Sequence, residues 1–129
     1  GDPVDAPRGS GTAVAAYFLS FADRALAADL TTALAQEAAE LGGFTALREY
    51  APGFSGSGDT NAGPTVFGLS VGATGFGLGA ARARGDEALF NGLYRTTTLF
   101  GAPSGSGHRY AVGGRLGNAL LLAMLTATP

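Results

Sequence analysis

The sequence predicts an all-α fold built from antiparallel helical hairpins. Apolar residues recur at the three- and four-residue spacing of helices, and no segment sustains the two-residue alternation of a half-buried strand. Glycine-rich stretches separate the apolar segments and indicate where helices end. At 129 residues the chain is long enough for one modest hydrophobic core. We therefore expect a single domain over 1–129, with a linker-like segment at 1–11.

The first third of the chain predicts a pair of helices. Residues 12–22 are mostly apolar and predict a short buried helix. Asp23 is a favourable N-cap for a second helix over 24–41, whose leucines recur at helical spacing. Gly42 and Gly43 provide the expected C-terminal stop of that helix.

The middle of the chain predicts a long loop followed by a glycine-rich helix. Residues 42–63 contain six glycines and no sustained period, which is typical of a loop. Pro64 suits the first turn of a helix that continues to Gly85. Within this helix, glycines spaced by four and three residues would share one face and let another backbone approach closely. These glycines are Gly68, Gly72, Gly75 and Gly79.

The last third predicts two more helices joined by a second loop. Asp86 is an N-cap for a helix over 87–100, and residues 101–115 are rich in glycine and serine. Residues 116–128 are apolar and predict a buried final helix. The whole pattern gives about five or six helices.

Composition excludes several classes of function. The net charge is −2 and all eight basic residues are arginines scattered along the chain, whereas nucleic-acid binding needs a basic face. The chain has no cysteine, one histidine and no carboxylate cluster, so we expect neither a metal nor another cofactor. The uncharged residues 60–81 are long enough to cross a bilayer, but their modest hydropathy favours a buried helix. The N-terminus lacks the regions of a signal peptide, and the compartment stays open.

The polar cluster Arg48-Glu49-Tyr50 at the first loop is the main candidate site. Asp59, in the same loop, forms a carboxylate pair with Glu49. Glycosidic cleavage needs one carboxylic acid to protonate the leaving oxygen and one carboxylate to activate water or to attack. Arg48 and Tyr50 would bind sugar by hydrogen bonds and stacking. The alternative is that Arg48 and Glu49 form a structural ion pair and that Asp59 caps a turn.

Two further features are candidates for chemistry. Gly68 to Gly72 matches the G-x-S-x-G pattern of a nucleophile elbow around Ser70, and Asp86 and His108 follow in the order of a catalytic triad. An elbow needs a buried strand before the serine, which a helical pattern does not offer, so an ordinary helix serine is the alternative. His108 and Arg109 lie in the second loop, where they would contact a ligand only if both loops share one rim.

A family resemblance adds to these patterns. The string REYAPGFSGSGDTNAGPTVFG at residues 48–68 resembles segments of bacterial helical-toroid proteins of the six-hairpin, (α/α)6 glycosidase type. The upstream hairpin PRGSGTAVAAYFLSFAD and the ending GGRLGNALLLAML fit the same pattern. The resemblance implies the C-terminal part of a toroid, completed by a missing remainder or by another copy, with loops that line a polysaccharide cleft. It also implies export or the cell envelope. The cleft rim would hold Arg48, Glu49, Tyr50, Asp59 and Asn61.

Three hypotheses follow. The first is a carbohydrate-active or carbohydrate-binding domain in which Glu49 and Asp59 are catalytic. Its substrate-binding residues would be Arg48, Tyr50, Asn61, His108 and Arg109. The second is a non-catalytic helical interaction domain, which predicts that Arg48 and Glu49 pair and that no concave pocket exists. The third is a serine hydrolase, which requires an exposed Ser70.

Overall fold

Five helices and three short strand pairs make up the described part of the chain, in a computed structural model that describes residues 6–56, 65–105 and 109–128. The helices are α1 Gly9–Leu19, α2 Arg24–Gln36, α3 Val71–Arg84, α4 Glu87–Phe100 and α5 Gly114–Thr126. The antiparallel pairs are β1 Ala39–Leu41 with β2 Phe44–Ala46, β3 Thr65–Val66 with β4 Leu69–Ser70, and β5 Pro103–Ser104 with β6 Arg109–Tyr110. The chain is mostly helical, as the all-α prediction requires, but the three strand pairs were not part of that prediction, and helical periodicity gives no sign of them.

The first two helices form the expected pair, with shifted ends. Helix α1 covers 9–19 in place of 12–22, so it begins within the segment expected to be a linker. Asp23 caps α2 as predicted, because its side chain accepts a hydrogen bond of 3.0 Å from the Leu26 amide. Helices α1 and α2 then pack against each other.

The predicted end of α2 at Leu41 is wrong. The helix stops at Gln36, and the next residues form the β1–β2 hairpin. Gly42 and Gly43 are its two-residue turn, with φ of 57° and 84°. Positive φ at both central residues is what a type I′ hairpin turn requires, so the two glycines turn a hairpin where they were expected to stop a helix.

The predicted start of α3 at Pro64 is also wrong. Helix α3 begins at Val71, because the β3–β4 hairpin precedes it. Phe67 and Gly68 form that hairpin's turn with φ of 52° and 78°, which no helix accommodates. Ser70 then acts as the N-cap of α3, its side-chain oxygen accepting a hydrogen bond of 3.1 Å from the Ala73 amide.

Helix α3 is the centre of the fold and packs against each of the other four helices. Leu78 of α3 is fully buried, and Leu93 of α4 and Met124 of α5 pack into the same core. Small residues allow this close packing. A Cβ on Gly77 would lie 2.6 Å from Leu47 Cδ1, and one on Gly79 would meet Met124.

The predicted glycine face of α3 is therefore only partly correct. Gly68 lies outside the helix, in the preceding hairpin turn. Gly79 is closely packed, but its neighbours are the side chains of Tyr17 and Met124 and not another backbone. Around Gly75 no described atom lies within 4 Å of an added Cβ, so its lack of a side chain has no packing reason within the described chain.

Helix α4 has the N-cap and the extent that the sequence predicts. Asp86 accepts a hydrogen bond of 3.0 Å from the Leu89 amide, and Gly101 follows the helix end.

Asp86→Ala should lower the free energy of unfolding by about 1 kcal/mol, because the first turn loses a capped amide. Urea denaturation measures this. Asp86→Asn, which keeps the acceptor, should stay close to the wild type, and an equal loss in both variants would show that the cap is not the cause.

The C-terminal part replaces much of the predicted second loop with structure. The β5–β6 pair lies within residues 101–115, and α5 starts at Gly114. Asn118 fixes the hairpin to α5, because its side chain bonds both the amide and the carbonyl of Tyr110 at 2.8 Å. Helix α5 packs in turn on α3.

Candidate functional site

The extended segment 47–50 connects the N-terminal ends of two helices. On one edge the amide of Gly9, the first residue of α1, donates to the Glu49 carbonyl at 2.8 Å. On the other edge the Glu49 amide donates to the Gly68 carbonyl at 3.0 Å, and Arg48 bridges to Leu69. The starts of α1 and α3 are thereby held together around this segment.

Side chains alternate along this segment as they do in a strand. Leu47 and Glu49 are each 1% exposed, whereas Arg48 and Tyr50 are half-buried. Leu47 packs in the core against the Gly77 position of α3. The Glu49 side chain therefore extends into the protein, on the same side of the segment as Leu47. It is the one buried charged residue among those described.

The Glu49 carboxyl group is only half satisfied. Its Oε1 accepts a hydrogen bond of 2.7 Å from Ser10 Oγ, in the first turn of α1. Its Oε2 has no hydrogen-bond partner among the described residues. The positive end of the α1 dipole favours a negative charge at this place, but a buried oxygen without a donor costs about 1–3 kcal/mol. Such an atom calls for an explanation beyond packing.

The ion pair expected in the structural alternative does not form. Glu49 bonds to Ser10, and no ion pair joins it to Arg48 in the described part of the chain. Tyr50 packs on Gly56, where an added Cβ would lie 2.7 Å from the Tyr50 ring carbon Cζ. Arg48, Glu49 and Tyr50 are therefore neighbours in sequence with different surroundings.

Ser70 does not have the geometry of a nucleophile elbow. It does stand between a strand and a helix, but the strand has two residues and belongs to a two-stranded pair. Its backbone is ordinary extended chain, with φ −100° and ψ 123°, and its side chain is 1% exposed. Ser70 is therefore not the exposed serine that the hydrolase hypothesis requires, and it caps α3.

Of the remaining predicted site residues, only Arg109 belongs to the described part of the chain. Arg109 lies exposed on β6, where its carbonyl accepts a hydrogen bond of 3.4 Å from Ser104 Oγ. Asp59, Asn61 and His108 lie outside the described residues. The predicted Glu49–Asp59 pair thus stays a prediction. No group of three or more His, Asp or Glu side chains that would hold a metal occurs in 6–56, 65–105 and 109–128.

A large apolar cavity is the feature that sequence reasoning missed. It has a volume of about 890 Å³ and lies between α3, α4, α5 and the three hairpins. Ser70 and Thr74 form part of its buried wall, and the exposed side chains of Phe67 and Phe100 stand at its edge. Glu49 is not among the described residues that line it. The interaction-domain hypothesis predicts no concave pocket, and this prediction is not met.

Comparison with protein-family models, curated proteins and solved structures finds no match to this chain. In the part of the chain that is described, none of the helices has the length and apolar character needed to cross a bilayer.

Proposed function

We propose that this chain is a carbohydrate-active or carbohydrate-binding domain in which Glu49 acts as the acid or base. Its helical hairpins would form part of an (α/α) toroid. The exposed apolar side chains Phe18 of α1, Phe21 in the turn after it and Leu122 of α5 would then pack on the remaining helices of that toroid or on a second copy.

One observation carries the proposal: the buried Glu49 carboxyl with an unpartnered Oε2. A carboxyl that served only to hold the fold would be expected to have both oxygens bonded, since buried polar groups nearly always are. Ser10 holds one oxygen and leaves the other available. In the sequence, the predicted partner Asp59 follows ten residues after Glu49.

The chemistry needs two carboxyl groups. The protonated Glu49 would donate its proton from Oε2 to the glycosidic oxygen as the bond to the anomeric carbon breaks. Asp59, as carboxylate, would attack that carbon or take a proton from the attacking water. If Asp59 attacks, the ester that it forms with the sugar is then cleaved by a water molecule whose proton returns to Glu49; if Asp59 acts as base, the water adds directly to the anomeric carbon. In both cases each product ends with a free hydroxyl. Ser10 would be a positioning residue, because its hydrogen bond fixes which oxygen of Glu49 faces the substrate.

Access to Glu49 is a requirement of this proposal. With 1% of its surface exposed, Oε2 can meet a sugar only when neighbouring residues move. The adjoining residues 52–56 are all exposed. Substrate-induced movement of loops is common among enzymes that close over their substrates.

The test is a panel of soluble polysaccharides and oligosaccharides offered to the wild-type chain. Release of reducing ends measures hydrolysis, and titration calorimetry measures binding. We expect at least one glycan to bind, and Asp59→Asn to lose hydrolysis of it while it keeps binding. A panel in which the folded wild-type chain binds and cleaves nothing contradicts the proposal.

A further inference from the structure

The wall of the cavity between α3, α4 and α5 has almost no polar group to offer. Three hydroxyl-bearing residues in it are already bonded to the backbone. Ser70 caps α3, Thr74 accepts from the Leu47 amide at 3.1 Å, and Thr96 donates to the Gly92 carbonyl at 3.1 Å. Two further wall residues carry hydroxyl groups, Thr97 and Tyr110, and apart from Glu40 the rest of the wall is aliphatic, aromatic or glycine. An occupant would therefore gain mainly from burial of apolar surface and little from hydrogen bonds.

The charge of the wall restricts the occupant further. Glu40, exposed on β1, is the single charged side chain among the described residues that line the cavity. The interior has no cation to match an anionic group, and Glu40 at the edge would repel one. Charge complementarity thus favours an uncharged molecule over a fatty acid or another anion.

Gly75 leaves open a part of the cavity that a larger residue would fill. A glycine within a helix costs about 1 kcal/mol relative to alanine. Gly77 and Gly79 have packing reasons, because added Cβ atoms would meet core side chains. Gly75 lines the cavity and meets no described atom within 4 Å. Its missing side chain keeps this part of the cavity open, which makes the position suitable for a filling variant.

We propose that this cavity binds an uncharged, largely hydrocarbon small molecule. Its volume of about 890 Å³ falls in the range of about 300–1,000 Å³ that is usual for small-molecule sites. Its wall is formed by residues of α3, α4 and α5, so the occupant would lie against three helices. This site is separate from Glu49 and does not depend on the carbohydrate proposal.

The test uses pyrene, an uncharged fluorescent hydrocarbon, with Gly75→Leu as the filling variant. A Cβ at Gly75 has open space around it, so the leucine should extend into the cavity and saturable pyrene binding should weaken about tenfold or more. Gly11→Leu is the matched control, because Gly11 is also a helical glycine with no described atom within 4 Å, but on α1 and away from the cavity. It should bind pyrene like the wild type.

A second pair of measurements keeps the proposal testable. Anionic pyrenebutyrate should bind more weakly than uncharged pyrene, because Glu40 repels its carboxylate. In the Glu40→Gln variant the affinities of the two probes should lie closer together. If Gly75→Leu does not fold, Leu120→Glu places a charge in the same wall. Unsaturable pyrene binding, or equal binding in wild type and Gly75→Leu, overturns the proposal. Sedimentation velocity gives a further test. If the wild type is a dimer and only the cavity variants are monomers, the proposal is overturned, because the cavity wall would then be an interface between copies.

Discussion

Gly9→Ala is expected to lower the free energy of unfolding by about 2–4 kcal/mol, from overpacking together with a lost hydrogen bond. A Cβ at this position would overlap the Arg48 carbonyl oxygen. That oxygen belongs to backbone and cannot rotate away as a side chain would. Relief of the clash would separate α1 from segment 47–50 and break the 2.8 Å bond from the Gly9 amide to the Glu49 carbonyl.

Gly11→Ala is the control for this variant. It lies two residues further along the same helix and meets no described atom within 4 Å. The same chemical change should therefore stabilise the chain, by up to about 1 kcal/mol, since alanine has the higher helix propensity. Urea denaturation with equal m-values compares the two variants. If both variants shift stability in the same direction and by the same amount, the contact between Gly9 and segment 47–50 is not what holds α1.

Glu49→Gln is expected to reduce kcat/KM on a cleaved glycan by about 10²–10⁴-fold, the usual contribution of a general acid or base. The amide keeps the shape of the side chain and an oxygen to accept from Ser10, but it cannot supply a proton. Glycan binding should persist, so that the loss appears mainly in kcat. Thermal unfolding of the variant should show that the fold is kept.

Glu40→Gln is the matched control for Glu49→Gln. Glu40 lies on β1 and is exposed, so the same change there should leave hydrolysis unaffected. Wild-type rates in Glu49→Gln would remove Glu49 from the reaction. A loss of rate that runs parallel to a loss of folded protein would assign Glu49 to the fold.

Local chemistry was enough to predict the helix starts at Asp23 and Asp86. In both cases an aspartate bonds an amide three residues later, an interaction complete within one turn. Gly42 and Gly43 show where such reasoning stops. Their positive φ values suit a helix C-terminus and a hairpin turn equally. The choice depends on the pairing of Ala39–Leu41 with Phe44–Ala46, which turn residues alone do not fix.

The sequence was enough to select Glu49 as a candidate residue, but not to predict which groups surround it. Glu49 was chosen for its position beside Arg48 and Tyr50, yet its partner is Ser10, 39 residues earlier. No local pattern carries a contact of that range. The apolar cavity is likewise assembled from helices and hairpins far apart in sequence. Its one visible sign was a glycine-rich helix, and the expected backbone contact at those glycines was the wrong explanation for Gly75.

The central position of α3 has a consequence for how the chain folds. Helices α1 and α2 are neighbours in sequence and can meet by closing a short loop, whereas α1 and α3 are about 60 residues apart. In the described chain, α1 with α2 is the only extensive helix–helix contact that excludes α3. Most of the conformational entropy that the chain loses on closing its loops is therefore lost when α3 docks on α1. Before that step α1 and α2 have only each other to pack against, so we expect folding to be a single cooperative event limited in rate by long-range contacts.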